Sequence, residues 1–178
     1  RRIIQTLRHD NEVRAVAYSS DGKTIGTCSD NTVLWNAATG EKVRTLGNAI
    51  WARQVAFSPD GRQVLVEGVV WDAETGKEVR RLQVGNRAGR AVAFSPRGDF
   101  IFTGGDAGDS KRIVPSGELW NAQSGELVHK LVGLPGVVEQ AAFSADGRTL
   151  MTLTSRAADP EDFDRTVGKD AVVLWDVG

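Results

Sequence analysis

The chain has 178 residues, 40% of them apolar, enough for one domain that buries roughly two thirds of its unfolded surface. Its formal charge of -1 and pI near 6.2 supply no basic field for holding nucleic acid. No apolar run reaches the length of about 18 residues that a membrane-crossing helix needs, and a single cysteine, Cys28, permits no intrachain disulfide and fits a reducing, cytoplasmic setting.

In chain order, residues 3–7, IIQTL, read as a short outer strand whose partners do not lie upstream. The start Arg-Arg-Ile-Ile carries no initiator Met, so processing or excision from a longer polypeptide is expected to have set it. Four units follow, at about 13–46, 52–82, 90–131 and 139–177. The second shows the pattern plainly: QVAF, QVLVEG, VVWD and EVRRL are apolar or alternating segments separated by SPDG and AETG. Asp-Gly and Thr-Gly mark tight turns because glycine adopts the positive φ that such hairpins require. Each unit therefore reads as a four-stranded antiparallel sheet. The fourth stops after its third strand, and strand 3–7 is expected to complete it; a boundary inside a longer array is the alternative.

The recurrent AFSPDG hairpin (AYSSDG, AFSPRG and AFSADG in the other units), with LWN or LWD before a Thr-Gly or Ser-Gly turn, resembles the WD-repeat family. The resemblance covers essentially the whole chain and implies an all-β fold, a β-propeller of four-stranded antiparallel blades with about four blades here. It also implies structural roles for His9, Thr27, Asp30 and Trp35 of the first unit, as a hydrogen-bonded chain from loop to core whose polar groups must all be satisfied. Asn48 stands at the histidine position of the second unit, and the third and fourth offer no histidine there. Those blades are expected to rest on apolar packing, chiefly Val55, Phe57, Val92, Phe94, Phe143, Trp71, Trp120 and Trp175. His129, in the outer strand LVHKL, reads as surface.

The link between second and third strands shrinks to Glu67 and Gly68 in the second unit and expands to residues 104–117 and 154–170 in the third and fourth. Long loops on a rigid scaffold are disproportionately functional. The segment GGDAGDSK, 104–111, lacks the Gly-Lys-Ser/Thr ending of a phosphate loop and leads toward a strand, so a hairpin tip is the preferred reading. Asp159, Glu161, Asp162, Asp164 and Asp170 could offer oxygens to calcium, but their spacing misses the twelve-residue calcium loop and Arg156, Arg165 and Lys169 are interspersed. No metal site is therefore expected. Catalytic constellations of the Ser-elbow, Cys-His or His-Glu-x-x-His kind are absent from the sequence, and Asp106 with Asp109 is the nearest approach to an acid-base pair. Lys77, Arg80, Arg81, Arg87 and Arg90 form a basic stretch, read as outer-strand charge that blocks edge pairing rather than as an anion site.

The expected function is non-catalytic protein binding without a cofactor, by loops gathered on one propeller face. Trp51 is the expected anchor, with Arg87, Arg112, Arg156 and Phe163 as further contacts, since Trp and Arg dominate interface energetics. A plug for the place of the missing histidine is the other reading of Trp51. Neither nucleic acid nor a membrane is expected as partner. Two alternatives stand: a half-propeller that homodimerises into an eight-bladed ring, and a sensor or scaffold segment of a larger signalling protein.

Overall fold

The structure is a computed structural model that describes residues 2–47, 52–85, 87–108, 112–158 and 166–178. Blade 1 is the sheet β1 (Ala15–Tyr18), β2 (Thr24–Cys28), β3 (Thr32–Asn36) and β4 (Lys42–Leu46). Blade 2 is β5 (Ala56–Phe57), β6 (Gln63–Val66), β7 (Val69–Asp72) and β8 (Glu78–Arg81). Blade 3 is β9 (Arg87–Phe94), β10 (Phe100–Asp106), β11 (Pro115–Asn121) and β12 (Leu127–Lys130). Blade 4 joins β13 (Val137–Phe143) and β14 (Thr149–Ser155) to β17 (Ala171–Asp176); between the last two, β15 (Ala157–Ala158) and β16 (Thr166–Val167) form a separate ribbon. All pairings are antiparallel, and all but that of β14 with β17 join strands adjacent in sequence, as hairpin connections dictate.

The turns are chemically specified. In each first hairpin the glycine (Gly22, Gly61, Gly98, Gly147) has φ between 70° and 77° and donates its N–H to the carbonyl of the serine three residues earlier at 2.9 Å. That serine hydroxyl accepts a second N–H at 2.9 Å, from Thr24, Gln63, Phe100 or Thr149, so one side chain ties both arms of the hairpin. The second turn is capped by a side-chain amide or carboxylate, for example Asn36 Oδ1 accepting from Ala38 N at 2.9 Å and Thr39 N at 3.0 Å.

Three apolar clusters stitch four blades together. Leu34 and Leu46 of blade 1 pack with Val55 and Val64 of blade 2; Leu65 and Val70 of blade 2 with Val92, Ile101 and Trp120 of blade 3; Phe102 and Leu119 of blade 3 with Val138 and Leu150 of blade 4. Among the described residues no such cluster joins blade 4 to blade 1, so the blades form an arc.

That arc explains a departure from expectation. Residues 3–7 form no strand, Ile3 and Ile4 are exposed, and blade 4 keeps three strands. Gln5 Nε2 instead donates to Thr39 O in the second turn of blade 1, much as Arg80 of β8 reaches Ala122 O and Gln123 O in the second turn of blade 3. The segment therefore holds the place of an outer strand ahead of blade 1, but the open arc does not bring β17 alongside it.

Candidate functional site

The His9, Thr27 and Trp35 side chains meet at the outward face of blade 1. Trp35 Nε1 donates to Thr27 Oγ1 at 2.8 Å, His9 Nε2 lies 3.1 Å from the same hydroxyl, and the His9 ring stands edge-on to the indole at 5.1 Å. Asp30 is not part of this group; its carboxylate accepts from Asn11 Nδ2. The tryptophan-to-threonine bond also recurs where no histidine precedes the blade: Trp120 Nε1 to Thr103 Oγ1 at 2.8 Å and Trp175 Nε1 to Thr152 Oγ1 at 3.0 Å. Blades 3 and 4 are thus not held by apolar packing alone. In blade 2 the matching position is Val66, and Trp71 lies against Gly47, where a Cβ would sit 2.8 Å from the indole.

Of the expected partner-binding residues, Arg87, Arg112 and Arg156 fall at the end of the arc where β9 and β13 begin and β10 and β14 finish. Arg87 opens β9, its backbone opposite Asp106; Arg112 is exposed ahead of β11; Arg156 follows β14 directly. Arg156 is tied down, its backbone N donating to Asp170 Oδ1 at 3.0 Å and its Nε to Oδ2 at 3.2 Å. Trp51 and Phe163 lie outside the described residues, as do Asn48, Asp109 and the acidic residues Asp159, Glu161, Asp162 and Asp164.

Several sequence readings change at this end. Gly104, Gly105 and Asp106, expected in the link between strands, belong to strand β10; a Cβ at Gly104 would press on the Phe102 ring at 2.9 Å and on Val138 at 3.0 Å. Asp106, almost fully buried, accepts from Gly108 N at 2.9 Å and Val114 N at 2.8 Å, which makes it the clamp of the hairpin. The basic stretch is divided. Arg81 pairs with Glu78 on the outer strand, Nε to Oε1 at 3.1 Å, while Arg90 lies on an inner strand and reaches Glu139.

That last pair belongs to a cluster which sequence reasoning passed over. Glu139 Oε1 accepts from Ser155 Oγ at 3.0 Å and from Arg90 Nη1 at 3.3 Å, and Arg53 Nη1 stands 3.7 Å from Oε2. Gln54 spans the same inner wall, accepting from Val92 N at 3.1 Å and donating to Ala141 O at 3.5 Å. Blades 2, 3 and 4 thereby converge on one carboxylate. The signal was present in the sequence: Arg14, Arg53, Arg90 and Glu139 each stand five residues before the turn serine of their blade.

The family model "WD domain, G-beta repeat" matches residues 1–36, the leading segment with the first three strands of blade 1, and residues 77–111, from β8 through β10. The chain is similar to WD-repeat β-propellers in these repeats and in its blade fold. Its relatives include the meiotic recombination protein rec14 of Schizosaccharomyces pombe, 29% identical over 156 residues that cover 80% of this chain and 48% of that protein. Among solved structures, Kuenenia stuttgartiensis hydrazine synthase superposes with a TM-score of 0.76 at 18% identity, over 99% of this chain and 49% of that one. U3-55K superposes with a TM-score of 0.72 at 15% identity, over 96% and 54%. At such identities the structural likeness speaks for the fold. This WD-repeat chain thus spans about half the length of these proteins. WD-repeat propellers typically serve as protein-interaction scaffolds.

Proposed function

We infer that this chain acts as a non-catalytic scaffold that presents the strand-start end of its blades to a protein partner. The observation that supports this most is the concentration of arginines from three blades beside two extended hairpins, on sheets fixed by buried interfaces. A rigid surface loses little conformational entropy when a partner docks. Trp51, Arg87, Arg112, Arg156 and Phe163 are the proposed contacts. Affinity capture with wild type, Trp51→Ala and an Arg112→Ala/Arg156→Ala double variant as matched baits tests it. A partner held by wild type and lost by the loop variants, with melting unchanged, supports the reading. A partner held equally by all three overturns it, and a large fall in melting for Trp51→Ala makes that residue a plug instead of an anchor.

Self-assembly is a second reading, favoured by the two ends of the arc. Leu174 is 68% exposed, yet it occupies the position that Leu34, Val70 and Leu119 fill at buried blade interfaces. At the other end Val16 is 70% exposed where Val55, Val92 and Ala141 are buried. The two ends are the two halves of one repeating interface, so two copies joined head to tail would bury both and close eight blades. Light scattering decides it: a particle near twice 19.2 kDa that falls to a monomer in Leu174→Lys supports closure, and a wild-type monomer at all concentrations refutes it.

A further inference from the structure

We propose that the inner collar formed by Arg53 and Arg90 is a docking site for an acidic segment of the protein partner, and that Glu139 is a built-in competitor for it. This rests on the scaffold reading and names the partner's chemistry.

The equivalent position of each blade carries one charged side chain: arginine in blades 1, 2 and 3, glutamate in blade 4. Arg53 lies just ahead of the innermost strand of blade 2 and Arg90 on that of blade 3, and both side chains reach Glu139 on the innermost strand of blade 4. They therefore line the inner wall at the end where the hairpin extensions emerge. Arg14 meets Glu12, Nε to Oε2 at 3.2 Å. Among the described residues Arg53 and Arg90 share Glu139 alone, so two guanidinium groups face one carboxylate.

The geometry leaves room for exchange. Arg53 is 3.7 Å from Glu139 with its side chain 54% exposed, a loose and hydrated pair, whereas Arg90 is at 3.3 Å and 25% exposed. Ser155 Oγ, which donates to Glu139 at 3.0 Å, holds the carboxylate from the other side. An incoming Asp or Glu side chain would take the outward donors of Arg53, for which a guanidinium's fork suits a carboxylate. Gln54, fixed between Val92 N and Ala141 O, keeps the floor beneath it polar. With one carboxylate per two guanidinium groups, the collar attracts acidic chains even though the whole molecule is formally at -1.

Fluorescence anisotropy with a labelled oligo-glutamate peptide, against an oligo-lysine control, tests this on the whole chain. Wild type should bind the acidic peptide alone, and more weakly as salt rises. Arg53→Gln and Arg90→Gln should each weaken binding about fivefold, Glu139→Gln should tighten it about threefold, and Arg81→Gln, on the outer strand, should leave it unchanged. Melting of each variant separates lost binding from lost fold; Arg53→Gln, more than half exposed, should fold normally and suffices on its own. Weaker binding in Glu139→Gln, equal losses in Arg81→Gln and Arg53→Gln, or no binding by wild type would overturn the collar. A captured partner that binds Arg53→Gln as well as wild type would sink the collar and leave the scaffold reading standing.

Discussion

Thr103 sits between two polar partners inside blade 3: its hydroxyl accepts from Trp120 Nε1 at 2.8 Å and donates to Glu118 Oε2 at 3.3 Å. In blade 1 the same bond from tryptophan is kept and His9 supplies the further partner. Blades 1, 3 and 4 therefore keep a hydroxyl under the indole, with Val66 in its place in blade 2, while the group beyond it differs between blades 1 and 3.

Replacing that threonine by valine keeps the shape and orphans the indole N–H. Trp120 and Trp35 are buried, so Thr103→Val and Thr27→Val should each cost about 1–3 kcal/mol, the penalty for an unsatisfied buried donor. Trp175 is only half-buried, so water can replace the hydroxyl and Thr152→Val should cost less. Urea unfolding of the three variants checks the order. Equal losses at all three sites would mean that packing, not the hydrogen bond, holds the indoles.

Glu118 should make the fold more stable as pH falls. Burial in blade 3 pushes its carboxyl above the usual 4.5, opposed by the Thr103 hydroxyl and by the charge of Lys130. The folded chain then binds this proton more readily than the unfolded chain. Its contribution grows as pH drops through the raised value toward 4.5 and is absent at neutral pH. Glu118→Gln should be at least as stable as wild type at pH 7 and should flatten the stability profile in that window, measured by urea midpoints. A variant much weaker at pH 7 would show that the ionised carboxylate is a net stabiliser.

The count of blades and the place of their turns were legible because both are local: Asp-Gly or Thr-Gly in an alternating apolar context has few other solutions. What depends on distant partners was not. Residues 3–7 have strand composition, but a strand needs a hydrogen-bonding neighbour, and whether β17 lies beside them is decided by the curvature of the arc. Thr103 and Thr152 looked like ordinary polar strand residues until the pairings Ile101 with Trp120 and Leu150 with Trp175 put them under the indoles. The collar was missed for a related reason. Arg90 reads as part of a run with Arg80 and Arg81, whereas the fold sends the three to separate surfaces.

Three carboxylates of the first hairpins should act in the opposite sense to Glu118. Asp21, Asp60 and Asp146 each accept from the turn serine at 2.6 Å and from a backbone N–H at 3.0 Å. These bonds, the serine hydroxyl first, hold their carboxyls below the usual 3.8. Their stabilisation is present above 3.8 and is lost as pH falls through the lowered folded values. Arg97 stands at this place in blade 3, so that hairpin should not share the acid sensitivity. NMR titration of the carboxyl carbons should show Asp60 rising toward its ordinary value in Ser58→Ala, and an unchanged midpoint would remove the serine as the cause.

Cys28 should be unreactive until blade 1 opens. Its side chain is fully buried against blade 2, and desolvation raises the thiol to about 11 despite the neighbouring Thr32 hydroxyl at 3.3 Å. Since the thiolate is the reactive form, almost none exists near pH 7, and no reagent can reach the sulfur without separating blades 1 and 2. Labelling with an aromatic disulfide reagent should therefore proceed at the rate of local opening and accelerate with mild denaturant. Val64→Ala, which thins the same cluster from the blade 2 side, should speed it at constant pH. Prompt labelling of the wild type in buffer would mean that this interface opens freely, and that blade 1 is the least stable part of the arc.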